Sequence, residues 1–221
     1  MSTREKLCLI GMLELLKAKR TLEFGYHRGG ATNWLSKYSE EVITVDVNAY
    51  VHEAEKLYPN ITSWNIPTQE AVARINRDKQ TFDLAIIDAD HSREAIANDL
   101  KGILDHAEII LMHDSSNPSC RKGMLDALKH QDSHAYNLDF VTSSIKHDGL
   151  WGGLGVAIRS DNPGRMKEFK GEFSPYNYLY LHHSLSLANK CTAGAEKLKT
   201  RIMRTINRIK VKVGGAFAKL R

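Results

Sequence analysis

Short apolar runs alternate with longer amphipathic segments along the first 160 residues. The run Phe82–Ile87 is almost wholly apolar and has the length of a strand, which is typical of a sheet covered on both faces. The predicted strands are Thr21–Phe24, Val42–Val45, Ile61–Trp64, Phe82–Ile87, Glu108–Met112, Asn137–Thr142 and Leu154–Arg159. The predicted helices are residues 2–20, Ala31–Tyr38, Ala49–Leu57, Thr68–Arg77, Ser92–Asp105 and Arg121–His130.

Strand and helix alternate five times, and this order predicts an α/β fold with a doubly wound, mostly parallel sheet of seven strands. We assign residues 1–160 to one domain, with its first helix as a lead-in to the sheet. Residues 161–221 are assigned to a C-terminal helical, basic extension. With 42% hydrophobic residues in 221, the chain can bury a sizeable core.

The formal net charge of +5 is concentrated at the C-terminal end. From Lys190 onward ten Lys and Arg residues stand against one acid, Glu196, so this tail carries +9 and the rest of the chain −4. Apolar residues recur there at helical spacing, at positions 198, 202, 206, 209, 213, 217 and 220. Residues 198–221 could form a helix docked on the body, or contact an anionic membrane surface, a partner subunit or nucleic acid. Nucleic acid fits least, because the body is acidic.

Cysteine usage and hydropathy indicate the compartment. Cys8, Cys120 and Cys191 are odd in number and far apart, so we predict reduced thiols in a cytoplasmic protein and no structural zinc site. The apolar run Leu7–Leu13 has seven residues, too few for a membrane span. Peripheral contact with the inner membrane face through the basic tail stays open, and so does a homo-oligomer.

Polar and acidic residues follow the predicted strands. Gly25 and Gly29 come after the first strand. Asp46 ends the second strand, 21 residues after Gly25, close to the interval at which an acid meets a ribose hydroxyl in nucleotide-binding α/β units. The residues after the fourth and fifth strands are Asp88, Asp90, His91, His113 and Asp114. Because ligands bind outside the carboxyl ends of the strands in open α/β sheets, one pocket can collect all of these side chains.

These segments resemble class I S-adenosylmethionine-dependent methyltransferases, whose fold is Rossmann-like. Glu23-Phe-Gly25-Tyr-His-Arg-Gly29-Gly30 is similar to their first motif, and Asp46 matches the acid that closes their second strand. FDLAIIDADHSREAIANDL (82–100) with IILMHDSS (109–116) resembles one branch of them. That branch includes small-molecule and sugar O-methyltransferases, such as macrocin O-methyltransferase, and relatives of cephalosporin hydroxylase. The resemblance covers residues 20–160.

The resemblance implies S-adenosylmethionine as cofactor and O-methylation of a hydroxyl on a small molecule or sugar. Gly25 and Gly29 would let the backbone approach the methionine part of the cofactor, and Glu23 would lie beneath it. Asp46 would accept both ribose hydroxyls, a pairing that suits a carboxylate. The implied cofactor-binding residues are Glu23, Phe24, Gly25, Gly29, Asp46, Asn65 and Asp88. Asn65 stands where many relatives carry an acid near the adenine.

His91 and Asp88 are the candidate catalytic residues. Methyl transfer to an alcohol requires an aligned acceptor and removal of its proton, and a histidine has a pKa range suited to accepting that proton. His91 is therefore a candidate general base; the alternative is that it caps or packs against the next helix. Aromatic residues that could face a sulfonium are Tyr26, Trp34 and Trp151, of which Trp34 is expected in the core.

A divalent cation is a second chemical possibility. Asp88, His113 and Asp114, with Asp90 nearby, are candidate ligands of Mg²⁺ or Mn²⁺, and such an ion would lower the pKa of an acceptor hydroxyl. The alternative is that these strand-end residues cap helices or contact the cofactor. Residues 148–153 are a candidate lid or an ordinary loop.

Two other functions remain open at this stage. The same scaffold could support a hydroxylase or another enzyme, because a fold does not determine a reaction. The chain could also be a non-catalytic cofactor-binding or interaction protein that its basic tail recruits to a partner.

Overall fold

The computed structural model describes residues 1–141, 151–159, 161 and 182–183. These residues form eight strands: β1 (Arg20–Phe24), β2 (Glu41–Val45), β3 (Ile61–Trp64), β4 (Phe82–Ile87), β5 (Ala107–His113), β6 (His134–Val141), β7 (Leu154–Arg159) and β8 (His182–His183). The helices are α1 (Thr3–Leu16), α2 (Thr32–Tyr38), α3 (His52–Leu57), α4 (Thr68–Asp78), α5 (Arg93–Ile103) and α6 (Pro118–Leu128). A 3₁₀ turn over Ala49–Val51 leads into α3.

The strands form one mixed sheet in the order β3-β2-β1-β4-β5-β7-β6-β8. The strands from β3 to β5 are parallel, whereas β7 lies antiparallel between β5 and β6. The strand order reverses between β1 and β4, and ligands bind at such switch points in open α/β sheets. The predicted doubly wound, mostly parallel arrangement and its seven strands are confirmed. The hydropathy pattern gives no indication of the two-residue edge strand β8.

Both faces of the sheet are covered, as the apolar run of β4 predicts. Leu84 and Ile86 face a core that includes residues of α1 and α2, whereas Ala85 and Ile87 face a second core built with α4, α5 and α6. All four side chains are fully buried. Burial of a Leu or Ile side chain contributes roughly 1.5–3 kcal/mol, so both layers hold the sheet in place.

The first helix is shorter than predicted. It ends at Leu16 and not at residue 20, because Lys17 takes a left-handed conformation with φ 46° and closes the helix. Arg20 then pairs with Glu41 at the start of the sheet, in backbone register and through a side-chain ion pair of 2.7 Å. The four residues after Leu16 therefore belong to the turn and to β1.

The sixth helix begins earlier than predicted. It starts at Pro118 and not at Arg121, because Asn117 caps it: the Asn117 side-chain oxygen accepts hydrogen bonds from the next two free backbone N–H groups. Proline in the first turn requires no N–H partner and has a helical φ. The Asn-Pro pair is thus a helix start that the sequence pattern alone presents as a loop.

The ends of β1 and β4 meet through backbone contacts at Gly25. The Gly25 N–H donates to the Val45 carbonyl at 2.8 Å, and the Asp88 N–H donates to the Phe24 carbonyl at 2.8 Å. Gly25 has φ +98°, and a Cβ at this position would lie 2.1 Å from the Asp88 carbonyl oxygen. Glycine is therefore required at the switch point of the sheet for both its conformation and its size.

The chain divides into two compact units, residues 1–184 and 185–221. The predicted boundary between residues 160 and 161 stays a prediction. Most of the predicted C-terminal extension, including the basic segment 198–221, lies outside the described residues, as do residues 148–150 of the candidate lid. Among the described residues, none of the helices combines the length and the apolar character that crossing a membrane requires.

We predict that Gly25→Ala lowers the free energy of unfolding by at least about 2 kcal/mol, because the methyl group must displace the Asp88 backbone and the residue must keep a positive φ. Urea unfolding measures the change. Gly30→Ala is the matched control in the same loop, since no atom of the described residues lies within 4 Å of a Cβ there. Equal stability of the two variants would contradict the packing requirement at Gly25.

Candidate active site

Residues 25–30, which follow β1 and which we call the glycine loop, lie next to a buried carboxylate. Glu23 is 1% exposed, and its Oε2 accepts hydrogen bonds from the hydroxyls of Thr32 at 2.5 Å and Thr44 at 2.7 Å. Burial raises the pKa of Glu23 to about 7, and the two threonine hydrogen bonds only partly oppose this rise. Thr32 opens α2 and Thr44 lies in β2, so Glu23 joins the loop, the helix and the neighbouring strand.

Asp46 holds the loop from the end of β2. Its Oδ2 accepts a hydrogen bond from the His27 N–H at 3.0 Å, and its Oδ1 accepts from the Asn48 N–H at 2.9 Å. His27 has φ 47°, so the loop turns its backbone N–H toward the carboxylate. From the end of β3, the Asn65 side chain donates to the Asp46 carbonyl at 2.9 Å. Asp46 and Asn65 are thus neighbours, as the predicted cofactor contacts require.

A second group of polar residues lies at the ends of β4 and β5. The Nε2 atom of His91 lies 2.7 Å from Oδ2 of Asp114 and 3.7 Å from Oδ1 of Asp88. The Nδ1 atom of His113 lies 3.0 Å from the same Asp88 oxygen and 3.3 Å from the same Asp114 oxygen. The structure therefore brings together two carboxylates and two imidazoles that the sequence assigns to one pocket. We call Asp88, His91, His113 and Asp114 the strand-end cluster.

Glu5, a residue near the N-terminus, contacts the buried histidine of the cluster. Glu5 is 2% exposed, and its Oε2 lies 3.3 Å from Nε2 of His113. Its Oε1 accepts a hydrogen bond from the Gly153 N–H at 2.6 Å, and the adjacent Gly152 N–H donates to Oδ1 of Asp114. Two successive backbone amides before β7 therefore hold two of the buried carboxylates.

The pKa values of the cluster show how its charges stabilise one another. Hydrogen bonds to Asp114 and Asp88 raise the pKa of His91 to about 9. Burial would lower the pKa of His113, but contacts with Asp114, Asp88 and Glu5 outweigh it and raise that pKa to about 11. Burial would raise the pKa values of Asp88, Asp114 and Glu5, yet contact with the histidines lowers all three. The pKa of Glu5 falls to about 2. The charged forms of the histidines and of the carboxylates thus stabilise one another in the cluster.

The aromatic candidates separate into core and surface positions. Tyr26 is buried, and Trp34 packs against the first core, as expected for Trp34. Trp151 is 49% exposed and presents an edge-on ring to His91, with the ring centroids 5.2 Å apart. Trp151 is therefore the aromatic residue that the structure places at the mouth of the strand-end cluster.

The predicted site residues fall into three groups. Donor atoms of Asp88, His91 and Asp114 all lie within 4.8 Å of one another, so these three residues can share a metal ion. His113, predicted as a ligand, lies beside them; the sequence argument gives His91 the role of base and does not propose it as a ligand. Phe24 has a fully buried side chain, so only its backbone can reach a cofactor. Glu23, Gly25, Gly29, Asp46 and Asn65 line or support the glycine loop.

Glu5 is the site residue that the sequence does not reveal. The pattern Ser2-x-x-Glu5 is a capping box, and the structure has both of its hydrogen bonds. That signature explains a helix start and gives no reason to place the carboxylate 108 residues away beside His113. Burial of a charged residue in the first turn could be detected only once the packing of α1 was known.

The fold of the described residues is one that known enzymes share. The mostly parallel sheet, with its switch point between β1 and β4, is that of the Rossmann-like methyltransferase fold, as the resemblance to class I methyltransferases predicts. Residues 22–115 match the sequence profile of a family described as a methyltransferase domain. This match spans β1 to the end of β5 and contains every residue of the strand-end cluster. No curated protein sequence matches the chain.

Solved structures with the same fold include three methylating enzymes. An O-methyltransferase from Bacillus cereus, in complex with S-adenosylhomocysteine, has 16% identity and a TM-score of 0.60 over 72% of this chain and 82% of that one. The O-methyltransferase TomG from Streptomyces achromogenes, in complex with S-adenosylmethionine, has 14% identity and a TM-score of 0.58 over 72% and 81%. An rRNA methylase from Streptococcus thermophilus has 12% identity and a TM-score of 0.53 over 72% and 98%. At these identities the likeness shows the fold alone.

We predict that the buried Glu23 makes stability fall as the pH rises from 4.5 toward 7. The folded protein holds the Glu23 proton more tightly than the unfolded chain does. The stability that this proton contributes is therefore complete below the unfolded pKa, and it is lost as the pH rises through the folded pKa of about 7. Glu23→Gln cannot ionise. Its free energy of unfolding relative to the parent protein should therefore rise by up to roughly 3 kcal/mol between pH 4.5 and pH 8.

Urea unfolding at several pH values measures this difference, because the other titrating groups cancel between parent and variant. Glu70→Gln is the control, since Glu70 is an exposed residue of α4. A difference between Glu23→Gln and the parent that stays constant with pH would show that Glu23 keeps an ordinary pKa.

Proposed function

We propose that this protein is an S-adenosylmethionine-dependent methyltransferase that methylates a hydroxyl group of a small molecule or sugar with the help of a divalent cation. The observation that carries the proposal is the convergence at one sheet edge of two different sites. The glycine loop with Asp46 suits a nucleoside cofactor, and the strand-end cluster next to it suits a hydroxyl acceptor and a cation. The Asp88 backbone belongs to both, because it contacts Gly25.

The residues of the glycine loop fit the cofactor. Gly25 and Gly29 have positive φ angles of 98° and 72°, so the backbone carries no side chain at these two bends. Asp46 keeps its carboxylate at the end of β2, where it is held by backbone N–H groups and can exchange such partners for ribose hydroxyls. The S-adenosylhomocysteine and S-adenosylmethionine complexes of two proteins with this fold support the assignment.

The chemistry divides between the cofactor and the residues of this chain. When bound, S-adenosylmethionine would supply a sulfonium methyl group: its carbon–sulfur bond would break as the carbon–oxygen bond of the product forms, S-adenosylhomocysteine would leave, and the acceptor hydroxyl would give its proton to water. The task of Asp88, His91 and Asp114 is to hold a cation that lowers the pKa of that hydroxyl. Trp151, beside His91, can exclude water and orient an acceptor.

His91 is better suited to bind the cation than to act alone as a general base. Its Nε2 atom faces both Asp88 and Asp114 at the point where the three donor atoms converge. Without a cation those carboxylates raise its pKa to about 9, so the imidazole is protonated at neutral pH and cannot accept a proton. A bound cation would displace that proton, because a ligand nitrogen must be unprotonated, and an acceptor ionised at the cation would need no general base at His91.

We predict that removal of divalent cations abolishes methyl transfer, and that Asp114→Asn lowers its rate at least about 100-fold. Asparagine keeps the size of the side chain and an oxygen for the Gly152 N–H, but it loses the charge that holds the cation. The measurement is transfer of a tritiated methyl group from S-adenosylmethionine to phenols, catechols and monosaccharides, after EDTA treatment and after addition of Mg²⁺ or Mn²⁺.

The control for this loss is Asp126→Asn, which removes an acid that pairs with Arg93 on the surface. Full transfer in the presence of EDTA would contradict the role of the cation. It would leave His91 as the candidate base.

We further predict that S-adenosylhomocysteine binds to the purified protein, and that Asp46→Ala weakens binding about 10- to 100-fold, because the ribose loses hydrogen bonds to a charged acceptor. Isothermal titration calorimetry measures both affinities. Asp105→Ala is the control, since this exposed residue lies between α5 and β5, at the opposite end of the strands.

Failure of the parent protein to bind S-adenosylhomocysteine or S-adenosylmethionine would contradict the proposed function. Binding without methyl transfer to any acceptor would favour the non-catalytic alternative. A reaction other than methyl transfer on the same scaffold would favour the alternative enzyme.

A further inference from the structure

Glu5 is buried far more deeply than its place in a capping box requires. A capping box needs only that the Glu side chain accept a hydrogen bond from the backbone N–H of the residue before the helix, here Ser2. The Glu5 carboxylate also contacts His113 and the Gly153 N–H, and it is 2% exposed. Removing a carboxylate from water is unfavourable unless its oxygens find partners, so these two further contacts are what make its burial possible.

The contact with Glu5 determines how the His113 ring is used. An ionised carboxylate has no proton, so the His113 Nε2 atom, 3.3 Å away, must carry the hydrogen. The Nδ1 atom then faces Asp88 and Asp114, with oxygens at 3.0 and 3.3 Å. Nδ1 is buried and has no hydrogen-bond partner of good geometry among the described residues. The contact with Glu5 thus turns the ring so that Nδ1 points at the two carboxylates to which the proposed function assigns a cation.

We propose that Glu5 is the positioning residue of this site: it orients the ring of His113, which the sequence predicts as a ligand, and it holds the backbone beside Asp114. This inference rests on the proposed function. A histidine that binds a metal through one ring nitrogen usually donates its other N–H to a carboxylate, which fixes the tautomer and the ring orientation. The same arrangement would hold here: Glu5 of α1 is the carboxylate, and it accepts the Nε2 hydrogen of His113 while Nδ1 faces the cation.

Glu5 also positions the opposite side of the cluster. Its Oε1 accepts from the Gly153 N–H, and the preceding residue, Gly152, donates its N–H to Asp114. One carboxylate therefore holds a ligand ring through one oxygen and, through the other, the backbone that supports a second ligand. The resulting donor set contains two carboxylates and two imidazoles, which suits Mn²⁺ better than Mg²⁺, because Mg²⁺ prefers oxygen ligands. Mn²⁺ is therefore the probe.

The test is titration of the full-length protein with Mn²⁺, followed by the electron paramagnetic resonance signal of the free ion. Glu5→Gln keeps the size of the side chain but removes its charge, and we expect Mn²⁺ affinity to fall about 10- to 100-fold. Ser2→Ala weakens the cap of α1 and leaves Glu5 in place. Glu14→Gln removes an exposed charge from the same helix. Both controls should bind Mn²⁺ within about twofold of the parent protein, and S-adenosylhomocysteine affinity should not change in any variant.

The outcomes separate this inference from the proposed function. Equal Mn²⁺ affinity in Glu5→Gln and the parent protein overturns the role of Glu5 and leaves the proposed function intact. Absence of Mn²⁺ binding in the parent protein overturns the inference and the role of the cation. Binding of S-adenosylhomocysteine in that case would show that the cofactor half of the proposed function stands.

A second measurement does not depend on the folding of the Glu5 variant. Electron spin echo envelope modulation of the Mn²⁺-loaded parent protein should show couplings from two imidazole nitrogens. His91→Gln should leave one of them, which the inference assigns to His113. Bound Mn²⁺ without any nitrogen coupling in His91→Gln would show that His113 is not a ligand, and this result would overturn the inference.

Discussion

The close approach of two backbone segments, Gly25 against Asp88, is the constraint on which the rest of the candidate site depends. A Cβ on Gly25 would lie 2.1 Å from the Asp88 carbonyl oxygen, so the absence of a side chain is what lets β1 and β4 end side by side. This contact sets the glycine loop next to the strand-end cluster. Because the strands are parallel, residues that are far apart in sequence leave the sheet at the same edge. A cofactor in the loop and an acceptor at the cluster would therefore be neighbours without any further element to align them.

Within the cluster, each buried charge depends on the others. Burial alone would raise the pKa of Glu5 and Asp114 and lower that of His113, yet all three shift the opposite way because of their mutual contacts. Removing one member of such a set leaves an uncompensated buried charge, which costs about 3–5 kcal/mol. The strand-end cluster, Glu5 and the two glycines before β7 therefore form one unit. Four parts of the chain supply it: α1, the end of β4, the end of β5 and the glycines. Its geometry can be accurate only if all four are in place.

The elements of the fold that local pattern determines could be predicted, and so could the side chains that those elements carry to the sheet edge. The apolar run of β4 predicts a strand between two covered faces, and Asp88 and Asp114 follow from the ends of their strands. What local pattern does not contain is long-range packing. The role of Glu5 depends on a contact 108 residues away, and the early end of α1 depends on pairing between β1 and β2. His91 lies beside Asp88 and Asp114 because of its rotamer, which sequence spacing cannot specify.

The backbone conformation of Asp114 indicates that the end of β5 is adapted to place the side chain of this residue. Asp114 has φ +56°, a left-handed conformation that costs an ordinary residue about 1 kcal/mol and glycine almost nothing. Glycine would satisfy the turn but would supply no carboxylate. Aspartate accepts the N–H of Gly152 and places its other oxygen 2.7 Å from His91, so its side-chain contacts offset the backbone strain. Lys17 and Lys79 take the same conformation only to close helices, whereas Asp114 combines it with side-chain contacts to the strand-end cluster, and strain supported by such contacts is common at functional sites. The end of β5 is thus built to present a carboxylate, which agrees with a site where positive charge is bound.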